Sequence, residues 1–147
     1  MFVVSKSVEQ TQDIAREVLE NLPIFNEASI VGLSGELGAG KTTFTQELAK
    51  VLGVSERVTS PTFVILKIYE IEHERFKKII HIDAYRLKSG SELTALSLTE
   101  EFKDPTNLIL VEWYENVSDV LPQPITTIEL EPINKYTRNI TITYGQK

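Results

Sequence analysis

Residues 35–42 read Gly35-Glu36-Leu37-Gly38-Ala39-Gly40-Lys41-Thr42, and Thr43 follows. A glycine, four free positions and then Gly-Lys-Thr is the spacing of a loop that cradles phosphates, a P-loop. Gly38 and Gly40 lack a Cβ, so the backbone can curl and aim successive N–H groups inward at anionic oxygens. A helix beginning near Lys41 adds the partial positive charge of its N-terminus. Lys41 is then the residue for the β- and γ-phosphates, and the Thr42 hydroxyl is the ligand for Mg²⁺. From average composition the pattern arises by chance in roughly 0.5% of chains of this length.

The flanks agree with the loop. Ser29-Ile30-Val31-Gly32-Leu33 reads as a short buried strand entering it. Phe44, Leu48, Val51 and Leu52 then fall at helical spacing, and Gly53 stands where a helix C-cap glycine belongs. Strand, loop and helix come in the order that nucleoside triphosphate binding requires.

A chain of 147 residues is long enough for one domain with a real core, and we expect a single domain over 1–147. Cysteine is absent, which excludes disulfides, thiolate catalysis and cysteine-ligated zinc and suits a reducing cytoplasm. No apolar run approaches membrane-spanning length, and Met1-Phe2-Val3-Val4-Ser5-Lys6 lacks the layout of a signal peptide, so a cytoplasmic protein is expected. The net charge of −6 argues against a large nucleic-acid surface on this chain alone.

Before the loop, Ser7-Val8-Glu9-Gln10 has the form of a capping box, followed by a helical stripe of Ile14, Ala15, Val18, Leu19 and Leu22 that Pro23 ends. That helix reads as packing; its start near Thr11 is also a candidate for lining a nucleotide base. After the loop helix, the polar segment Val58 to Thr62 offers Ser60 and Thr62 as sensors of the γ-phosphate and Mg²⁺, or simply as turn hydroxyls. Phe63–Tyr69 and Phe76–Asp83 read as two strands of a hairpin joined by a charged turn. Gly90-Ser91-Glu92 opens a helix with Leu93, Leu96 and Phe102 facing inward and Pro105 beyond its end. Ile125–Leu130 and Arg138–Tyr144 alternate as an antiparallel pair, with Arg138 read as a solvated edge charge.

Two carboxylates compete for the metal. Alternation puts His81 and Asp83 on one face at a strand end, where ligands bind in α/β sheets. Asp83 there either holds a metal-bound water, orients the attacking water, or pairs with Arg86 and organises a loop. Leu108-Ile109-Leu110-Val111-Glu112 is the cleaner apolar run ending in an acid, and it favours Glu112 for Mg²⁺. Trp113 reads as core packing or as a wall beside the nucleotide, with packing the ordinary fate of a lone tryptophan.

Taken together, the loop, Ser60-Pro61-Thr62-Phe63, His81-Ile82-Asp83-Ala84-Tyr85-Arg86 and Glu112-Trp113 make the chain resemble the TsaE (YjeE) family. These are small bacterial P-loop ATPases of tRNA threonylcarbamoyladenosine biosynthesis, and the likeness runs from about Ser7 to Arg138. It implies a P-loop NTPase-like α/β three-layer sandwich, with a mostly parallel central sheet and antiparallel hairpin strands. It implies ATP held by residues 35–43, Mg²⁺ held by Thr42 and Glu112, and Asp83 beside that site. It implies partnership with the TsaD–TsaB complex, with tRNA met indirectly through that complex and no membrane. Three positions depart from the family pattern: Glu36 where Asp is commoner, Ser97 where Gly is usual, and Tyr114 where Pro is frequent.

The chemistry expected is in-line attack of water on the γ-phosphate, with Lys41, Asp83 and Glu112 as its catalytic groups. Two other classes stay open on the residues: a small-molecule P-loop kinase and a non-hydrolysing nucleotide switch. The kinase lacks an arginine-rich lid helix, and no Asn-Lys-x-Asp segment supports a guanine-specific enzyme.

Overall fold

The structure, a computed structural model, describes residues 1–36, 40–55 and 66–146. Leu37, Gly38 and Ala39 of the loop, Ser60 and Thr62, and the first part of the strand expected from Phe63 lie outside the described residues.

The elements run β1 (Phe2–Ser5), α1 (Val8–Asn21), β2 (Ser29–Ser34), α2 (Lys41–Val51), β3 (Leu66–Glu70) and β4 (Lys78–Asp83). Two short helices, α3 (Gly90–Thr94) and α4 (Thr99–Lys103), lead to β5 (Asn107–Glu112), β6 (Thr126–Pro132) and β7 (Arg138–Thr143). All seven strands join one sheet in the order β1-β7-β6-β2-β5-β4-β3. The middle four, β6-β2-β5-β4, are parallel, whereas β3 pairs antiparallel with β4, and β7 antiparallel with β6 and β1. This is the α/β architecture expected, with both hairpins in place.

Why the middle strands are uniformly apolar follows from what covers them. Val31, Leu33, Leu108 and Leu110 face α1 and α2, meeting Ile14, Val18, Phe44 and Leu48. The alternate residues Ile30, Ile109 and Val111 face the other side, under Leu87, Leu93 and Leu98. A strand covered on both faces has no polar side to show. Strand β6, on the far side of β2 from β5, instead alternates, with Ile128 and Leu130 buried and Glu129 and Glu131 exposed.

Helix α1 begins as its sequence indicates, with Gln10 N–H donating to Ser7 Oγ at 3.1 Å, while Gln10 Oε1 accepts from Lys6 N–H at 2.6 Å. Its far end is pinned by a residue that sequence did not single out. Arg75 donates to Leu22 O (2.9 Å), Pro23 O (2.6 Å) and Ser29 Oγ (3.0 Å), tying the end of α1 to the start of β2. Gly53, at φ +89, closes α2 as a C-cap glycine does, with Val54 N–H donating to Ala49 O.

One expected helix is two. The chain breaks at Ser97, which takes a left-handed φ of 55 and donates its N–H to Thr94 O. Leu96 is consequently 38% exposed, not inward, and Leu98 occupies the buried place. Strand β1, which no turn signature marks in the sequence, is an edge strand paired to β7 in register Ser5↔Arg138.

Candidate functional site

The register of the parallel strands assembles the site. Leu33 of β2 lies beside Glu112 of β5, and Glu112 beside Asp83 of β4, so three strand ends converge where the glycine-bearing segment leaves β2. Trp113 N–H donates to Leu33 O at 2.9 Å, continuing the contact one residue past β5. Strand C-termini in a parallel sheet are where ligands collect.

Gly40 is the N-cap of α2, at φ 97, and Phe44 N–H donates back to its carbonyl at 2.8 Å. Lys41 starts the helix and is 5% exposed. Its Nζ donates to the carbonyls of Gly35 and Glu36, the latter at 3.0 Å, and sits 4.2 Å from the centre of the Trp113 ring. Burial lowers the Lys41 pKa below its usual 10.5, against the opposing pull of Glu112, Glu115 and Asp83. The lysine is thus folded onto the loop's own oxygens and capped by an aromatic face.

Glu112 is the hub. It is 2% exposed, and its two oxygens are held by different partners. Thr42 Oγ1 donates to Oε1 at 3.2 Å, and His81 Nε2 lies 2.5 Å from Oε2. A carboxylate can only accept, so Nε2 carries the proton of that bond. His81 is wholly buried, and its Nδ1 has no partner among the described residues. Asp83, half-buried on the neighbouring strand end, accepts Tyr85 N–H at 3.0 Å and so also shapes the turn it leads into. Thr43 sits half-buried in the first turn of α2.

Trp113 packs as a lone tryptophan ordinarily does. It packs against the second core cluster and lies 5.1 Å from the Tyr85 ring, while its other contact is Lys41. Its backbone is left-handed, φ 59 and ψ 42, an unusual conformation for a bulky residue and one that concentrates at ligand sites. Tyr114, the next residue, packs its ring on Gly32, where an added Cβ would come within 2.5 Å of Tyr114 Cγ. Thr11 does not present a free hydroxyl: Oγ1 bonds Ser5 Oγ at 2.6 Å and donates to Ser7 O at 3.1 Å, in a 2% exposed position. Arg138 is not a solvated edge charge; it is half-buried with its guanidinium against Gly40. An apolar groove of about 310 Å³ between Leu93, Phe102 and Val120 shares no residue with this cluster.

The donor set suits one divalent ion of the hard, oxygen-seeking kind. Among the described residues there is no cluster of three or more acidic, histidine or cysteine side chains able to cage a metal. Mg²⁺ does not need one; it is commonly held by one or two protein oxygens together with phosphate and water. The facing hydroxyl of Thr42 and carboxylate of Glu112 provide that pair.

Compared with known proteins, the sequence matches the family described as "Threonylcarbamoyl adenosine biosynthesis protein TsaE" over residues 5–140. It is 37% identical over 142 residues to the tRNA threonylcarbamoyladenosine biosynthesis protein TsaE of Treponema pallidum, covering 97% of this chain and 99% of that protein. The protein of the same name from Bacillus subtilis is 37% identical over 114 residues, 78% of this chain and 68% of that one. Among solved structures, the crystal structure of Bacillus subtilis YdiB superposes with a TM-score of 0.77 at 29% identity, over 99% of this chain and 86% of that one. No helix among the described residues is long and apolar enough to cross a membrane.

Proposed function

The chain belongs to the TsaE family, and from that premise we propose that it is a Mg²⁺-dependent ATPase that supports threonylcarbamoyladenosine formation on tRNA. In this reading it acts with the TsaD–TsaB complex, in the cytoplasm, and resets that complex between turnovers instead of performing the transfer. The net charge of −6 fits a protein that leaves the tRNA to its partners.

The observation that carries the reading is the pairing of Thr42 with Glu112 at the mouth of the phosphate loop, 3.2 Å apart, with Lys41 beside them. Residues 35–43 would hold ATP, the backbone amides and Lys41 Nζ meeting its phosphate oxygens. Lys41 reaches them by leaving the Gly35 and Glu36 carbonyls and the Trp113 face, so its present bonds keep it close and desolvated without saturating a ligand. Thr42 and Glu112 would hold Mg²⁺, which when bound neutralises charge on the phosphates. His81 fixes one Glu112 oxygen, leaving the other directed at Thr42. Asp83, beside Glu112 on the neighbouring strand, would orient water for in-line attack on the γ-phosphorus, with ADP as leaving group and the proton of the water passing to bulk or to Asp83.

Phosphate release from ATP by the purified protein, alone and then with TsaD–TsaB and tRNA, tests this. We expect slow release alone, a rise with the partners, and loss of at least 100-fold (about the cost of removing one key electrostatic contact) in Lys41→Ala. Unchanged release in both Lys41→Ala and Glu112→Ala would overturn the assignment.

A further inference from the structure

Arg138 opens β7, and its register partners are Ser5 of β1 and Pro132, the last residue of β6. Because β6 runs parallel to β2, with Ser34 beside Glu129, that end of the sheet is the end at which the phosphate loop emerges. The consequence is visible at Gly40. A Cβ built there would fall 1.9 Å from Arg138 Nη1 and 2.8 Å from Cζ, so the guanidinium lies directly on the α-carbon of the loop's last glycine.

What Nη1 of that guanidinium lacks is an acceptor. Nη1 is fully buried and has no hydrogen-bond partner among the described residues, and the ion pairs there are Arg16–Asp13, Lys50–Glu47 and His81–Glu112. The contrast within the same protein is Arg75, a structural arginine, whose guanidinium donates to three acceptors. Buried N–H groups are nearly always paired, and a guanidinium is the side chain best shaped to bond phosphate oxygens. A buried Nη1 without an acceptor, packed on Gly40 at the start of α2, suits an anion.

The direction of approach follows from the strand order. Glu112 and Thr42 meet the loop from the β5 side of β2, whereas Arg138 arrives from the β6–β7 side. We infer that Arg138 is a phosphate ligand of the bound nucleotide, donating from Nη1 to a phosphate oxygen on the side of the loop opposite the metal site. The inference rests on the nucleotide-binding reading above and adds to it a cation outside the loop motif.

The single tryptophan, Trp113, stacked on Lys41, reports binding by its fluorescence. ATP and inorganic tripolyphosphate, each with Mg²⁺, are titrated into the wild-type protein and into Arg138→Met and Arg138→Lys. Arg138→Met should raise Kd for both ligands about tenfold or more, the ordinary weight of a hydrogen bond to a charged group. Arg138→Lys should recover part of the loss, as a point charge in place of a fork. The thermal midpoint of Arg138→Met should not fall, because the variant removes an unpaired buried donor. Unchanged Kd for both ligands in Arg138→Met, with wild type binding, overturns the inference and leaves the nucleotide reading standing. A loss for ATP alone, with tripolyphosphate unaffected, puts the guanidinium on the nucleoside and overturns the phosphate assignment. A wild type that binds neither ligand removes the nucleotide reading itself.

Discussion

Removing the carboxylate of Glu112 should damage the fold as well as the chemistry, and the two effects can be separated. His81 is 0% exposed, its Nδ1 has no partner among the described residues, and its other nitrogen is held only by Glu112 Oε2 at 2.5 Å. Glu112→Ala strands both ring nitrogens in the interior, and an unsatisfied buried polar group costs about 1–3 kcal/mol. Losing the buried methylene adds roughly 0.8 kcal/mol more, so a destabilisation near 3 kcal/mol is expected in all. Glu112→Gln keeps the volume. Its amide oxygen accepts from His81 Nε2–H, and its amide nitrogen donates to Thr42 Oγ1, so the loss should stay under about 1.5 kcal/mol. The double variant His81→Leu/Glu112→Ala removes the stranded nitrogens, and a coupling of about 1–2 kcal/mol should appear in the cycle. Urea unfolding with unchanged m-values measures all four proteins. Equal destabilisation by Ala and Gln, or strict additivity in the cycle, would refute this account of the hub. If it stands, Glu112→Gln is the variant in which loss of Mg²⁺-dependent phosphate release can be attributed to the metal site and not to unfolding.

Two further outcomes are expected. Ser97 is held at φ 55, a left-handed conformation that costs an L-residue about 1–2 kcal/mol, so Ser97→Gly should stabilise by roughly 0.5–1 kcal/mol after glycine's greater unfolded entropy; a thermal midpoint that stays level or drops in scanning calorimetry would contradict it. Asp104 accepts from Thr106 Oγ1 at 2.6 Å and Thr106 N–H at 2.9 Å, bonds that hold its carboxyl below the ordinary 3.8 with help from Lys77 and Lys78. Its contribution is therefore present above pH 3.8 and fades as pH falls through the lower folded value, so the stability gap between wild type and Asp104→Ala should narrow in acid. Denaturation at pH 7 and pH 3 checks the sign, and a gap that widens in acid reverses it.

What could be read in advance was what local spacing controls. The β2–loop–α2 unit is written in closely spaced glycines and a helical stripe, and Glu112 ends an apolar run, so both were legible. The broken helix was not, because Ser97 carries no glycine or proline signal and a serine in left-handed conformation looks like any other residue in the stripe. Strand β1, four residues long, has no turn signature to announce it and exists only through its pairing with β7. Arg138 was misjudged for the same reason. At the start of a strand a charge looks solvated until the distant strand order reveals that Gly40 lies beneath it. His81 stood on the same face as Asp83 in sequence, but its bond to Glu112 crosses 31 residues and needed the β4–β5 register. The family resemblance, read from motifs along the chain, agrees with the matching family over residues 5–140.

The position of β7 between β1 and β6 has a consequence for how the chain acquires its shape during synthesis. Among the described residues β1 pairs only with β7, whose residues 138–143 are made more than a hundred residues later, and Arg138 belongs to that same strand. A ribosome-bound nascent chain stopped before residue 138 could form β2, α2 and the β4–β5 pair yet would hold an unpaired leading segment and a Gly40 without Arg138 against it. The last strand to emerge both closes the sheet and brings the final cation to the loop, so maturation of the fold and completion of the candidate site coincide.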